Sequence, residues 1–351
     1  MGNAFTGFAQ PKKAKRKLLI DEEDILEENN ESGLEKCNCM RLEEENGPSS
    51  KPNFIPVNEF TEADLPGPIR NSSVTEYIRQ QEKLVVHLYV QRDKPDGKPK
   101  GNSGTGFVWT CKDNMEVFDV CPAEKCRDKY PHKGYGGLLV YTNHHVVRDD
   151  KEAATCEVTF FYNSGSFIVV EDFSCTPVSE HVPTENLTGS LSSKNCSSAP
   201  DSKILNTVEK PANTLGTKPV RAYGLNLREC EENKDLVGLK IIYHDPELFD
   251  MVRGASKTNL LSKIPNQIKV NWKKFAIVIS HPHGGSKVIS VGDLVALEEE
   301  DDGVDRPRRT TKYTASTCNG SSGAPVFTGS YSYRPFTHRG KYKGYNVSFS
   351  F

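Results

Sequence analysis

The strongest constraint on this chain is a recurring pattern of short β-branched and aromatic runs broken by turn residues. Residues 84–90 read LVVHLYV, and runs of the same style follow at 104–110, 137–142, 156–162 and 166–172. A second series occupies 275–280, 287–297, 312–317, 324–327 and 342–351. Short strands at this modest spacing predict an all-β barrel or sandwich. The two series predict two β units joined across 245–263, a first over 73–250 and a second over 251–351. At 351 residues the chain is long enough for one large double-layered unit or two modest ones with tails. No internal repeat at a solenoid period is visible.

The rest of the chain has a different character. Residues 21–45 are dominated by Asp and Glu with hardly an aromatic, and Asn, Ser, Pro and Glu continue to Pro68. Residues 1–72 are therefore expected to form a disordered arm. A short helix is expected over 74–83, with Tyr77 and Ile78 on its apolar side. Residues 178–218, centred on SLSSKNCSSAPDSK, read as a long loop, and 298–302 with Arg306, Arg308 and Arg309 as a charged hairpin tip.

Composition removes several functional classes. A net charge of −2 gives no general attraction to nucleic acid. No run of about 18 apolar residues predicts a transmembrane helix. With no cleavable signal segment in view, the ten cysteines are expected to be reduced thiols. Gly2 lies in a Met-Gly-x-x-x-Thr start that fits myristoylation, and Lys12, Lys13, Lys15, Arg16 and Lys17 follow it. One acyl chain binds bilayers weakly, but each basic residue adds roughly 1 kcal/mol near an anionic leaflet. A cytoplasmic protein peripherally attached to membrane is the expectation. The same cluster also reads as a nuclear import tag or a solvated tail.

Three short motifs carry chemistry. Residues 137–147 place a strand-like run directly before Thr142-Asn143-His144-His145-Val146-Val147. Asp235 stands at the mouth of the apolar run 236–241. Residues 317–326 read TCNGSSGAPV. A serine hydroxyl is a poor nucleophile near neutral pH, so it needs a base, and the base needs a carboxylate to fix its tautomer. His145, Asp235 and Ser322 supply these parts. Backbone N–H groups of Gly320 and Ser322 are the expected donors to a tetrahedral oxyanion, since glycine lets the backbone turn inward.

These motifs, in this order, resemble those of the trypsin-like serine peptidases of the chymotrypsin fold, closest in style to intracellular and HtrA-type members. Residues 142–147 are similar to the family's Thr-Asn-x-His-Val-Val, 235–240 to its Asp-Leu-Ala-x-Leu-Lys, and 320–325 to its Gly-x-Ser-Gly-x-Pro. Residues 104–108 and 279–284 resemble the glycine strand before the His and a turn of the second barrel. The resemblance covers roughly 83–351. It implies two six-stranded antiparallel barrels with a site in the cleft between them, and a protein or peptide substrate cleaved through an acyl-enzyme. It also implies that Ser316 floors the specificity pocket, where a neutral residue suits small or apolar side chains. Ala324 replaces the family's second small glycine, and no Ile-Val-Gly-Gly activation site is present.

No cofactor is implied. Cys121, Cys126 and His132 lie close in sequence, but their spacing is loose for zinc and no fourth ligand stands out, so no metal is expected. His281 and His283 read as cleft residues or simply a turn. Two other classes of function stay open. One is a catalytically silent protease-fold binding platform, and the other a nuclear binding protein guided by the basic cluster.

Overall fold

The computed structural model describes residues 26–27, 53–93, 99–127, 132–164, 218–231, 235–257, 260–300, 308–329 and 336–350. Gly2, the basic cluster, most of the acidic arm, the 178–217 part of the expected loop and the run 166–172 lie outside them. The described chain opens with two-residue strands β1 (Leu26–Glu27) and β2 (Ile55–Pro56).

The first barrel is built from β3 (Val85–Asp93), β4 (Pro99–Phe118), β5 (Gly134–Thr142), β6 (Glu157–Phe160), β7 (Val220–Glu231) and β8 (Leu236–Tyr243), closed in the order β3-β4-β5-β8-β7-β6. The second uses β9 (Phe275–Ser280), β10 (Val288–Glu300), β11 (Arg308–Tyr313), β12 (Pro325–Thr328), β13 (Phe336–Tyr342) and β14 (Tyr345–Ser350). It closes through the β13–β14 pair into the ring β9-β10-β11-β14-β13-β12. All pairings are antiparallel. The fold is thus the expected pair of six-stranded antiparallel barrels.

Alternation along strands explains how two barrels share one core. On β5, Leu138 and Val140 point inward while Leu139 and Tyr141 are half-buried. On β9 both faces are covered. Ala276 and Val278 fill the second barrel with Tyr313, Val326 and Phe336. Ile277 and Ile279 pack the other way, into the large cluster that holds the first barrel's apolar residues. A period of two, with apolar residues on both faces, is what a strand at a seam requires.

Several details depart from the sequence reading. Part of the stretch expected to be arm is packed. Val57, Phe60, Leu65 and Ile69 are buried in the shared core, and β2 pairs with β10. Isolated apolar anchors among Pro, Asp and Glu leave the average composition polar, which hides them. The helix expected over 74–83 is α1 (Ser72–Gln81), capped by Asn71, whose side chain accepts from the Ser73 N–H at 3.0 Å. The junction between the barrels is helical over Glu247–Lys257, which buries Leu248, Phe249, Val252 and Ala255 on one face, and a further helix spans Asn266–Trp272. β11 ends at Tyr313, short of the expected 317. The run 342–351 belongs to two strands, joined by Lys343 and Gly344 with φ 49° and 83°. Positive φ at both turn residues matches the twist of a tight hairpin.

Lys287 staples the seam. Its side chain is fully buried and donates to the Glu82 carboxylate at 3.1 Å and to the Glu82 carbonyl at 2.7 Å. Its backbone accepts from the Val57 N–H and donates to the Tyr162 carbonyl. Among the described residues no helix is long and apolar enough to cross a membrane.

Candidate active site

His145 stands just beyond β5, on a turn whose Val146 and Val147 are buried anchors. Arg92 secures that turn from β3. It donates to the carbonyls of His145 at 2.7 Å and Val146 at 3.0 Å while pairing with Glu152 at 2.8 Å. Asp235 precedes β8 in the left-handed region, φ 50°, a conformation that Asp tolerates better than most residues. One of its carboxylate oxygens accepts the His145 backbone N–H at 2.9 Å, and the other faces the imidazole Nδ1 at 2.8 Å. Its carbonyl accepts the His144 N–H. The carboxylate therefore fixes both the place and the rotation of the ring. With Nδ1–H donated to Asp235, the lone pair lies on Nε2. That nitrogen is buried and makes no hydrogen bond.

The two adjacent serines are distinguished by their hydroxyls. Ser321 Oγ accepts the Cys318 N–H at 3.1 Å and donates to Ser280 at 3.3 Å, so it is spent on the loop itself. The Ser322 hydroxyl is buried and unbonded. No hydrogen bond joins it to His145 Nε2. The two neighbourhoods are tied instead through the His338 carbonyl, which accepts both the Asn143 side chain at 2.8 Å and the Gly323 N–H at 3.0 Å.

Thr105, on β4, holds the serine loop against the first barrel. Its N–H donates to the Ser322 carbonyl at 2.9 Å, its hydroxyl donates to the Gly320 carbonyl at 2.8 Å, and its own carbonyl accepts the Thr142 hydroxyl at 2.8 Å. Glycine is compulsory at 323, where φ is +85° and a Cβ would fall 2.1 Å from the Thr105 oxygen. Gly320 has φ +88°, and a Cβ there would fall 2.6 Å from the His281 oxygen. The Asn319 carbonyl accepts the His283 N–H at 2.5 Å, so the trans peptide directs the Gly320 N–H to the opposite side.

Arg339, on β13, lies 3.2 Å from the Asp235 carboxylate, and its guanidinium sits over Phe349. Ser316, the expected pocket floor, is half-buried, and its hydroxyl accepts the Asn53 N–H at 3.0 Å. Arg92, Thr105, Asn143 and Arg339 were not singled out from the sequence. Arg92, Thr105 and Arg339 lie in strands and Asn143 within the His145 motif, but none of the four has a role that the sequence alone assigns.

His281 belongs to the turn beneath Gly320 rather than to an open cleft. It is fully buried, donates from Nδ1 to the Gly285 carbonyl at 2.9 Å and packs 5.4 Å from His87. Burial holds His281 well below the ordinary histidine range, reinforced by the neighbouring His87 and Lys287 charges. Burial likewise pushes His87 down to about 4. Both rings are neutral in the folded protein at pH 7 and regain an ordinary pKa of about 6.5 on unfolding. Below that pH the unfolded chain takes up protons the folded one refuses. Stability should fall as pH drops from 6.5 toward 4, by up to about 1.4 kcal/mol per pH unit for each ring. Urea midpoints at pH 7, 6 and 5 measure this, and a flat profile would mean that the rings are solvated in the folded state.

No family model matches the chain, and no curated protein matches it in sequence. Among solved structures, the chain is similar to Deg5, with 12% identity over 79% of this chain and 88% of that one, at a TM-score of 0.37. It is also similar to the Rv3671c protease of M. tuberculosis in its active form, with 15% identity over 82% and 81% and a TM-score of 0.35. The inactive form of the Rv3671c protease gives 13% identity over 82% and 91%, also at 0.35. The two closed barrels are themselves the architecture of the trypsin-like serine peptidases.

Proposed function

We propose that the protein is a serine endopeptidase that hydrolyses peptide bonds through an acyl-enzyme. Ser322 is the nucleophile, His145 the general base and then acid, and Asp235 the carboxylate that orients it. One observation carries the reading: Asp235 grips both the Nδ1 and the backbone N–H of His145 and leaves Nε2 as the basic atom. In this reaction Ser322 Oγ bonds to the substrate carbonyl carbon as its proton passes to His145 Nε2. The oxyanion forms toward the N–H groups of Gly320 and Ser322, and the imidazolium then protonates the leaving amine. Water, deprotonated by the same imidazole, releases the acyl group.

Catalytic hydrogen bonds are often long or poorly aligned before substrate binds, so the unbonded Ser322 hydroxyl is compatible with this role. Ser316 brings no charge to the proposed pocket, which favours small or apolar side chains over Lys or Arg. A fluorophosphonate probe should label the wild-type chain and spare Ser322→Ala. Labelling of neither chain would leave the silent binding platform as the better account. That second reading draws on Arg339, which shares the carboxylate that His145 would rely on.

A further inference from the structure

We propose that Cys121, Cys126, His132 and His244 form a structural zinc site at the end of the first barrel remote from Asp235. The sequence supplies three of these residues on the chain between β4 and β5, and the expectation of no metal rested on the missing fourth. His244 supplies it, immediately after the last residue of β8.

The four ligand atoms lie within 4.8 Å of one another. His244 Nε2 is 3.2 Å from Cys121 Sγ, 3.6 Å from Cys126 Sγ and 3.1 Å from His132 Nε2. A tetrahedral ion with Zn–S of about 2.3 Å and Zn–N of about 2.05 Å sets ligand edges near 3.6 Å for S···N and 3.3 Å for N···N. The three edges from His244 match these values within a few tenths of an ångström. Hydrogen bonding alone does not explain it, because an imidazole nitrogen offers one in-plane position and here faces three ligand atoms. One cation at their centre satisfies all four.

The surroundings suit a closed site. Both cysteines are buried and outside any disulfide, packed with Ala123 and Ile242 against Phe118, Tyr223 and Leu225. The Cys121 N–H donates to the His132 carbonyl at 2.8 Å, which draws the two ends of the loop together. Four protein ligands leave no open position for water, so the ion's role is to hold the fold rather than to catalyse. The eight residues of β8 separate His244 from Asp235, nine Cα steps or about 30 Å at 3.3 Å each. The site thus clamps the far end of the strand whose near end meets His145, and it stands whether or not the chain is a peptidase.

The test uses the full chain, purified in a non-thiol reductant without chelator. Elemental analysis should find one zinc per chain. The metal-free chain titrated with Co²⁺ should give the visible absorption of a tetrahedral ion together with thiolate charge-transfer bands, saturating at one equivalent. Cys126→Ser and His244→Ala should lose both signals, while the Cys37→Ser/Cys39→Ser double variant keeps them. Absence of metal uptake by the wild-type chain would overturn the proposal, as would undiminished binding in Cys126→Ser. Should the ligand variants fail to fold, the wild-type cobalt spectrum decides: bands without thiolate charge transfer also overturn it.

Discussion

His145→Ala should lower kcat on a cleaved reporter peptide by roughly 10⁴ to 10⁶ with little change in KM, because the base acts only once bond-making begins. Its neighbour gives the contrast. His144 Nε2 lies 3.0 Å from the Arg148 carbonyl and its N–H donates to the Asp235 carbonyl, so its ring closes a local turn instead of facing Ser322. His144→Ala should keep kcat within about tenfold of wild type and show its cost in thermal stability. If the two variants lose turnover equally, the imidazole at 145 is not the base. If neither loses it, any hydrolysis comes from elsewhere.

Lys287→Met should cost about 3–5 kcal/mol of unfolding free energy, since the Glu82 carboxylate would stay buried with its ammonium partner gone. Burial already holds the Lys287 pKa below the ordinary lysine range, and only the Glu82 contacts oppose that shift. The double variant Glu82→Leu/Lys287→Met should recover part of the loss. Recovery is incomplete because the Glu82 backbone carbonyl, which accepts from Lys287 at 2.7 Å, is left without that donor. Equilibrium urea unfolding measures both. A single-variant loss under about 1 kcal/mol would show that Glu82 turns outward to water.

The fold class could be read from residue patterns because strand periodicity is a local property, and the structure brings together two of the three motif residues, His145 and Asp235. What escaped was non-local. β7 was missed because its alternation includes Gly224, Asn226 and Arg228, polar positions inside a 12-residue strand. The hairpin at Lys343-Gly344 was hidden because tyrosines on both sides read as one continuous run. The anchors from Val57 to Ile69 gain their apolar meaning only against a seam that two barrels create. Arg339 and His244 follow the same rule: each sits at the end or middle of an unremarkable stretch, and each matters through partners more than a hundred residues away. Sequence spacing offered no fourth ligand beside Cys121, Cys126 and His132, and the closing of the barrel brings His244 next to them.

Thr105 has a mechanical consequence. With its amide, carbonyl and hydroxyl all engaged, a single residue of one cylinder fastens the bend that presents Ser322 from the other. The cylinders cannot part, even slightly, without giving up at least two of those links and loosening the bend with them. Opening between the halves and disturbance of the bend at Ser322 are therefore one event.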